Sequence, residues 1–451
     1  MEHWKLGPAL SPSHEDWREA LAKGLGRAQL WGRSGKRPDR ALLEEACLRE
    51  LRYDRQCEPE RSAWLWEILL AADAIEWVEA PILAALSTLD DDAPAEQLCS
   101  FAVHYARRGD DRFRQALRKV VAQKPISIWP SLGEEQLMEL DGLAGFMLAA
   151  HSRGSSPHCQ DDPWDDYFFV GRAIRQFGID ATLAELERDS PDSPGIHRIY
   201  DHWRAKTETE SSRNNTPAKQ EPVLTVEEVL QKAETPNRFG GFFRCWGKKA
   251  SEAELRIVRE RIGQTANPDT LKNLLAVFAN REMPDFRCQL LSFCDHADES
   301  LRARAYDVFG KLPHPAIRAF ALQHLRERFG EWQFLHLFQG NFEPGDESLL
   351  LAELRPLANP VAFHSVLMDL HSILEANPAA DCQSLGTIVY AQTPCAVCRR
   401  DALALLLERG AAPSWMVEEA RLDCDEETRR IALAASASKS SQEELSTEGG
   451  T

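Results

Sequence analysis

Residues 298–312 read DESLRARAYDVFGKL, and residues 314–330 read HPAIRAFALQHLRERFG. The two segments share a plan. Each opens with a residue suited to a helix start, Asp298 in one and His314-Pro315 in the other, followed by an apolar residue, Leu301 or Ile317. An arginine comes next, Arg302 or Arg318, and then an amphipathic run. Asp caps the free N–H groups of a first helical turn, and Pro is tolerated there because it lacks one of them. The plan returns in residues 395–410 (CAVCRRDALALLLERG) and 425–436 (DEETRRIALAAS), and more loosely in 283–293 (MPDFRCQLLSF). Its arginines fall at 287, 302, 318, 399 and 429, with 31 residues from 287 to 318 and 30 from 399 to 429. One helix pair of this size cannot bury its apolar face alone, but stacked neighbours share a continuous core.

These segments resemble the HEAT-like repeats of the phycobilisome-lyase type, whose helices begin D-x-x-V-R-x-x-A-x-x-A-L. The match holds at Asp298, Leu301, Arg302 and Ala305, and again at Ile317, Arg318 and Ala321. Cys398 takes the Val position before Arg399, and Thr428 takes it before Arg429. The resemblance covers residues 283–435 best, with a poorer stretch from 333 to 392; in the N-terminal half the best fragment is GDDRFRQALRKV, from Gly109. It implies an all-α solenoid of antiparallel helix pairs, with Asp298, Arg302, Arg318, Arg399 and Arg429 as structural positions linking adjacent repeats.

Helical periodicity extends well beyond the repeat. Leu98, Phe101, Ala102 and Tyr105 fall at i, i+3, i+4, i+7, and Gly109 stops that run. Phe113, Ala116, Leu117, Val120 and Val121 follow before Pro125, and Leu271, Leu274, Leu275 and Phe278 follow Pro268. Thr225 with Glu228 and Ser251 with Glu254 are capping boxes, and Asp39 and Asp180 suit simple caps. No series of alternating runs bounded by two-residue turns suggests a sheet. Residues 204–222 (RAKTETESSRNNTPAKQEP) lack large apolar side chains and cannot bury enough surface to offset the entropy of ordering. This predicts an N-terminal helical domain (1–203), a flexible linker (204–222), a C-terminal repeat domain (223–436) and a disordered tail (437–451).

The chain has 451 residues and a formal charge of −18. No apolar run reaches the ~18 residues of a membrane-spanning helix, and the N-terminus has no basic start followed by an apolar stretch. The 11 Cys are scattered without a framework, as in a cytoplasmic protein with reduced thiols. Residues 62–106 contain no Lys or Arg against eight acidic residues, and residues 134–166 hold eight acidic residues and only Arg153. Such surfaces repel nucleic acid, which is usually met by a basic face. Residues 18–40 carry seven basic and two acidic residues, but Gly24, Gly26, Gly32 and Gly35 make the stretch read first as a flexible arm.

Candidate chemistry is sparse. The loop from His151 to Asp166 holds His151, His158, Cys159, Asp161, Asp162, Asp165 and Asp166, all metal-ligand types, yet their spacing fits no closed zinc pattern. Cys395 and Cys398 form a C-x-x-C at a helix start, where thiol pKa values fall. There is no second C-x-x-C, and Cys398 sits where the repeat wants an apolar residue, so core packing is the favoured reading. Trp332, Phe334, Phe338 and Phe342 could line a partner-binding groove or fill the core. No G-x-S-x-G, H-E-x-x-H, Walker A or G-x-G-x-x-G motif occurs. The expected protein is therefore a non-catalytic scaffold or adaptor in a bacterial cytoplasm, without cofactor or metal, whose acidic surface suits a basic protein partner. The alternative is a HEAT-like-fold enzyme, glycosylase-like or lyase-like. Against a DNA-gripping groove, residues 281–328 balance eight basic with seven acidic residues. Self-association is a third possibility, for which the 12 Trp offer material.

Overall fold

The computed structural model describes residues 4–89, 94–123, 132–155, 163–214, 224–235, 241–327 and 332–448, and among these every regular element is helical. No helix among them is long and apolar enough to cross a membrane. The chain divides into two units, one of Pro8–Lys219 with Glu418–Thr451, the other of Met1–Gly7 with Gln220–Val417. The division at 219/220 falls within the segment expected as a linker, but each chain end joins the unit remote from it in sequence. Helix α12 (Pro194–Asn214) runs into the expected linker, and α24 (Glu426–Glu448) runs across the start of the expected tail.

In the first unit the helices are α1 (His14–Lys23), α2 (Arg27–Arg33), α3 (Arg40–Leu48), α4 (Ser62–Ala71), α5 (Ile75–Ser87), α6 (Ala95–Arg107), α7 (Asp111–Gln123), α8 (Glu134–Asp141), α9 (Leu143–Ser155), α10 (Pro163–Phe177), α11 (Ile179–Asp189), then α12 and α24. From α1 to α9 each helix packs on the one next but one along the chain and, except for α2 on α3, on the next as well. The predicted apolar faces are the buried ones: Leu98, Phe101, Ala102 and Tyr105 on α6, and Phe113, Leu117, Val120 and Val121 on α7. Gly109 ends α6 with a φ of 96°, a left-handed conformation that glycine adopts without strain. The simple caps fare less well. The Asp39 carboxylate bonds His14 Nδ1 at 2.6 Å instead of capping α3, and Gly178, not Asp180, begins α11.

Residues 18–40 are not an arm. They form the end of α1, all of α2 and the start of α3, and their cations are engaged: Lys23 with Glu19, Arg33 with Glu67, Arg37 with Asp73 and Arg40 with Glu44. Arg27 is buried against the fully buried Glu419, with Nε–Oε2 at 2.7 Å and Nη2–Oε1 at 3.1 Å. Gly24 and Gly26 are there for close approach. A Cβ on Gly26 would stand 1.9 Å from the Glu419 carbonyl oxygen, and the Cys424 N–H donates to the Gly24 carbonyl at 3.0 Å.

The second unit holds α13 (Val226–Ala233), α14 (Gly241–Lys249), α15 (Glu252–Ile262), α16 (Pro268–Ala276), α17 (Glu299–Phe309), α18 (Pro315–Glu327), α19 (Asp346–Glu353), α20 (Pro360–Ala376), α21 (Gln383–Gln392) and α22 (Ala396–Glu408), and α23 (Ser414–Ala420) crosses to the other unit. Both predicted capping boxes form, Thr225 with Glu228 and Ser251 with Glu254. Residues 283–293 depart from the repeat. Asp285 takes a φ of 49°, and Cys288–Asp295 form a 3₁₀ helix, so Arg287 precedes no α-helix.

The arginines of these segments bond nearby carbonyls and carboxylates or are buried. Asp298 caps α17 by accepting from Leu301 N at 2.9 Å, while Arg302 Nη1 reaches back to the carbonyls of His296 (2.7 Å) and Ala297 (3.1 Å). The same arrangement recurs at α24 in the other unit. Asp425 accepts from Thr428 N at 2.8 Å, and Arg429 Nη1 reaches the carbonyls of Asp423 (2.6 Å) and Cys424 (3.2 Å). Arg318 instead forks onto Asp346 at 2.5 and 2.9 Å and bonds the Asn341 carbonyl, tying α18 to the start of α19. Arg399 is wholly buried.

A second feature is a ladder of side chains in this unit, each donating to a backbone carbonyl 29 to 38 residues earlier. Arg281 reaches Lys248 and Ala250, Lys311 reaches Ala279, and Asn341 reaches Leu312. Asn377 reaches Gln339, and Arg409 reaches Leu374 and Asn377. The bonds end on carbonyls at helix ends or in the turns beyond them, and each joins one stretch of the chain to an earlier one.

Candidate functional site

The aromatic run does not form one groove. Residues 332–338 are a 3₁₀ helix, and Phe334 and Phe338 are fully buried within it. Only Trp332 and Phe342 are half-buried, so Phe334 and Phe338 have no surface to offer a partner. The acidic loop is likewise drawn into structural pairing. Asp166 is buried 2.8 Å from His202 Nδ1 and 3.6 Å from Arg198 Nε, Asp165 lies near Arg153, and His151 pairs with Asp189. His158, Cys159, Asp161 and Asp162 lie outside the described residues.

The grouping with chemical potential is the C-x-x-C, joined by a histidine that the sequence reading did not consider. Asn359 caps α20 through bonds from the N–H groups of Val361 and Ala362, and Pro360 takes the first helical position. His364 follows on the next turn. Helix α22 begins at Cys395, which occupies the cap position, and Cys398 stands three residues on. Helices α20 and α22 pack together. They run in the same sense: His364 Nε2 lies 3.3 Å from Cys398 Sγ near their starts, and Arg409, just past the end of α22, bonds the carbonyl of Leu374 near the end of α20. Their shared orientation brings three side chains to one point, with ligand atoms of His364, Cys395 and Cys398 all within 4.8 Å of one another.

Cys395 occupies the cap position of α22 without the side-chain capping bond that Asp298 and Asp425 make in theirs. The Cys398 thiol, His364 and the N–H groups of Cys398 and Val397 face its sulfur. The Cys398 thiol contributes most to lowering the Cys395 pKa, burial opposes it, and the donors together hold it at about 4. By contrast, burial pushes the thiols of Cys47 and Cys294 up. The signal for His364 was available in the spacing, since it lies 31 residues before Cys395, one repeat step. Beside it, Phe363 stacks on Trp4 with ring centroids 6.0 Å apart, and Gln392 donates to the Lys5 carbonyl at 3.0 Å, which fastens residues 4–7 to this unit.

Deeper along α20, Asp369 Oδ1 lies 3.0 Å from His336 Nε2. Burial pushes the Asp369 carboxyl up to about 8 and the His336 imidazole down, with Asp307 and Lys311 facing that ring. An un-ionised carboxyl beside an uncharged imidazole fits both directions. The folded state thus keeps a proton that an unfolded aspartate loses near pH 4. Between pH 4 and 8 this carboxyl binds fewer protons in the unfolded chain than in the folded one, so its own contribution lowers stability as pH rises. Asp369→Asn, which keeps the side chain's shape and removes its titratable proton, is expected to melt several degrees above the parent at pH 8 and close to it at pH 4.5. A difference that does not change with pH would show that the carboxyl is ionised in the folded state.

Comparison of the chain with family models, with curated proteins and with solved structures returns no match.

Proposed function

We propose that this protein is a binding scaffold built as an α-solenoid of antiparallel, HEAT-like helix pairs, working in the cytoplasm on a protein partner. The observation that carries this reading is the ladder from Arg281 through Lys311, Asn341 and Asn377 to Arg409, which joins successive repeats at intervals of about one helix pair. Tyr105, donating to the Ile75 carbonyl, and Ser152, donating to that of Val121, do the same in the other unit. Stacks that contact only near neighbours leave long faces uncommitted to the core, and solenoids use such faces to bind extended partners. The charge of −18 favours a partner with a basic surface, by steering its approach and excluding acidic competitors.

The test is affinity capture of the tagged full chain from its own cell lysate after nuclease treatment, read by mass spectrometry. The expected result is one near-stoichiometric protein of basic surface, released progressively as salt is raised. Recovery that depends on intact nucleic acid would count against the reading.

A further inference from the structure

We infer that His364, Cys395 and Cys398 form a binding site for a thiophilic divalent cation, and that zinc is the ion it takes. The three ligand types are those zinc selects, soft thiolate and borderline imidazole, and magnesium or calcium would instead require oxygen donors. The geometry is close to what the ion needs. A tetrahedral zinc with Zn–S near 2.3 Å and Zn–N near 2.0 Å separates its ligand atoms by about 3.5–3.8 Å. His364 Nε2 and Cys398 Sγ already stand 3.3 Å apart, and every pair in the cluster lies within 4.8 Å. Ion entry therefore asks for side-chain adjustments of about 1 Å and no helix movement.

Two further observations separate this cluster from ordinary packing. The repeat does not need cysteine here. In the sister helices the cap and the third helical position are Asp298 and Leu301, or Asp425 and Thr428, and those helices are capped by carboxylates. Both positions change together to sulfur only where a histidine from the adjacent parallel helix meets them. The site also has a way in, because Cys398 and His364 are half-buried while Cys395 lies beneath. Charge balances as well. Two thiolates and one divalent cation sum to zero, so the ion is held without a net buried charge, and the thiol protons displaced pass to solvent.

The experiment uses the full chain, reduced and stripped of metal, titrated with zinc by native mass spectrometry and with cobalt(II) by absorption. One ion per chain is expected, with thiolate-to-cobalt charge-transfer absorption and a zinc-dependent rise in melting temperature. The decisive variant is Cys395→Asp with Cys398→Thr, which gives α22 the Asp and Thr that begin α24 and so supplies it with a carboxylate cap. It should melt within a few degrees of the zinc-free parent, lose the charge-transfer absorption and bind zinc at least tenfold more weakly. His364→Ala should keep the thiolate absorption and weaken zinc binding by about tenfold or more. The inference is overturned if the reduced parent takes up no stoichiometric zinc, or if the folded double variant retains the thiolate signature, which would place the metal on other cysteines.

Discussion

Replacing Gly26 by alanine is expected to destabilise the protein by about 3 kcal/mol or more. Gly26 has a φ of −57° and a ψ of −20°, which any residue adopts, so the cost is steric and not conformational. The added Cβ would lie 1.9 Å from the Glu419 carbonyl oxygen and 2.8 Å from the Leu422 carbonyl carbon. Both are backbone atoms that cannot swing aside. Residues 419–422 would have to retreat from α2, opening the buried Arg27–Glu419 pair and the bond from Trp64 Nε1 to the Leu422 carbonyl. Loss of one partner from a buried pair is costly because the other charge stays desolvated. Gly241→Ala is the control. Nothing lies within 4 Å of its Cβ position at the first residue of α14, and alanine is the better helix former, so that variant should be neutral or slightly stabilising. Urea unfolding followed by circular dichroism distinguishes the two. A Gly26→Ala protein as stable as the parent would show that the C-terminal segment does not pack on α2.

Phe334→Ala should cost about 3–5 kcal/mol, the usual range for removing a buried phenyl ring. Phe334 is fully buried in the 3₁₀ helix 332–338, which packs on α17, α18 and α20. Because it touches these helices directly, faster hydrogen exchange should appear first in α18 and α20 and fade toward α13. Trp332→Ala, at a half-buried position in the same turn, should be markedly milder. Equal effects would mean that the four aromatics share one environment after all.

Much of the helical architecture could be read from local pattern. The apolar faces of α6, α7 and α16 follow from 3.6-residue spacing, and both capping boxes follow from Ser or Thr placed three residues before Glu. These signals act within a turn or two, where sequence neighbours are spatial neighbours. Tertiary requirements were less legible. The glycines of residues 18–40 suggested a flexible arm, but Gly24 and Gly26 are small because a segment some 400 residues later packs on them. Phe334, Phe338 and Phe342, four residues apart, matched an α-helical stripe, whereas the chain forms a 3₁₀ helix that turns two of them fully inward. The C-x-x-C read as core because Cys398 occupies an apolar repeat position. That reading took the repeat one helix at a time. The cluster depends on two helices lying parallel, and only the 31-residue step back to His364 carries that information in one dimension. The ladder was missed similarly, since Arg281, Lys311, Asn341, Asn377 and Arg409 share a position and a task but not a residue type.

The claim that this chain is a binding scaffold is tested most directly by calorimetric titration of the full-length protein with its captured, purified and nuclease-treated partner. Saturable binding at a fixed stoichiometry is expected, with affinity that falls as salt rises and a negative heat-capacity change from apolar surface buried at the contact. Absence of binding between the purified components, or binding restored only by adding nucleic acid, would contradict it.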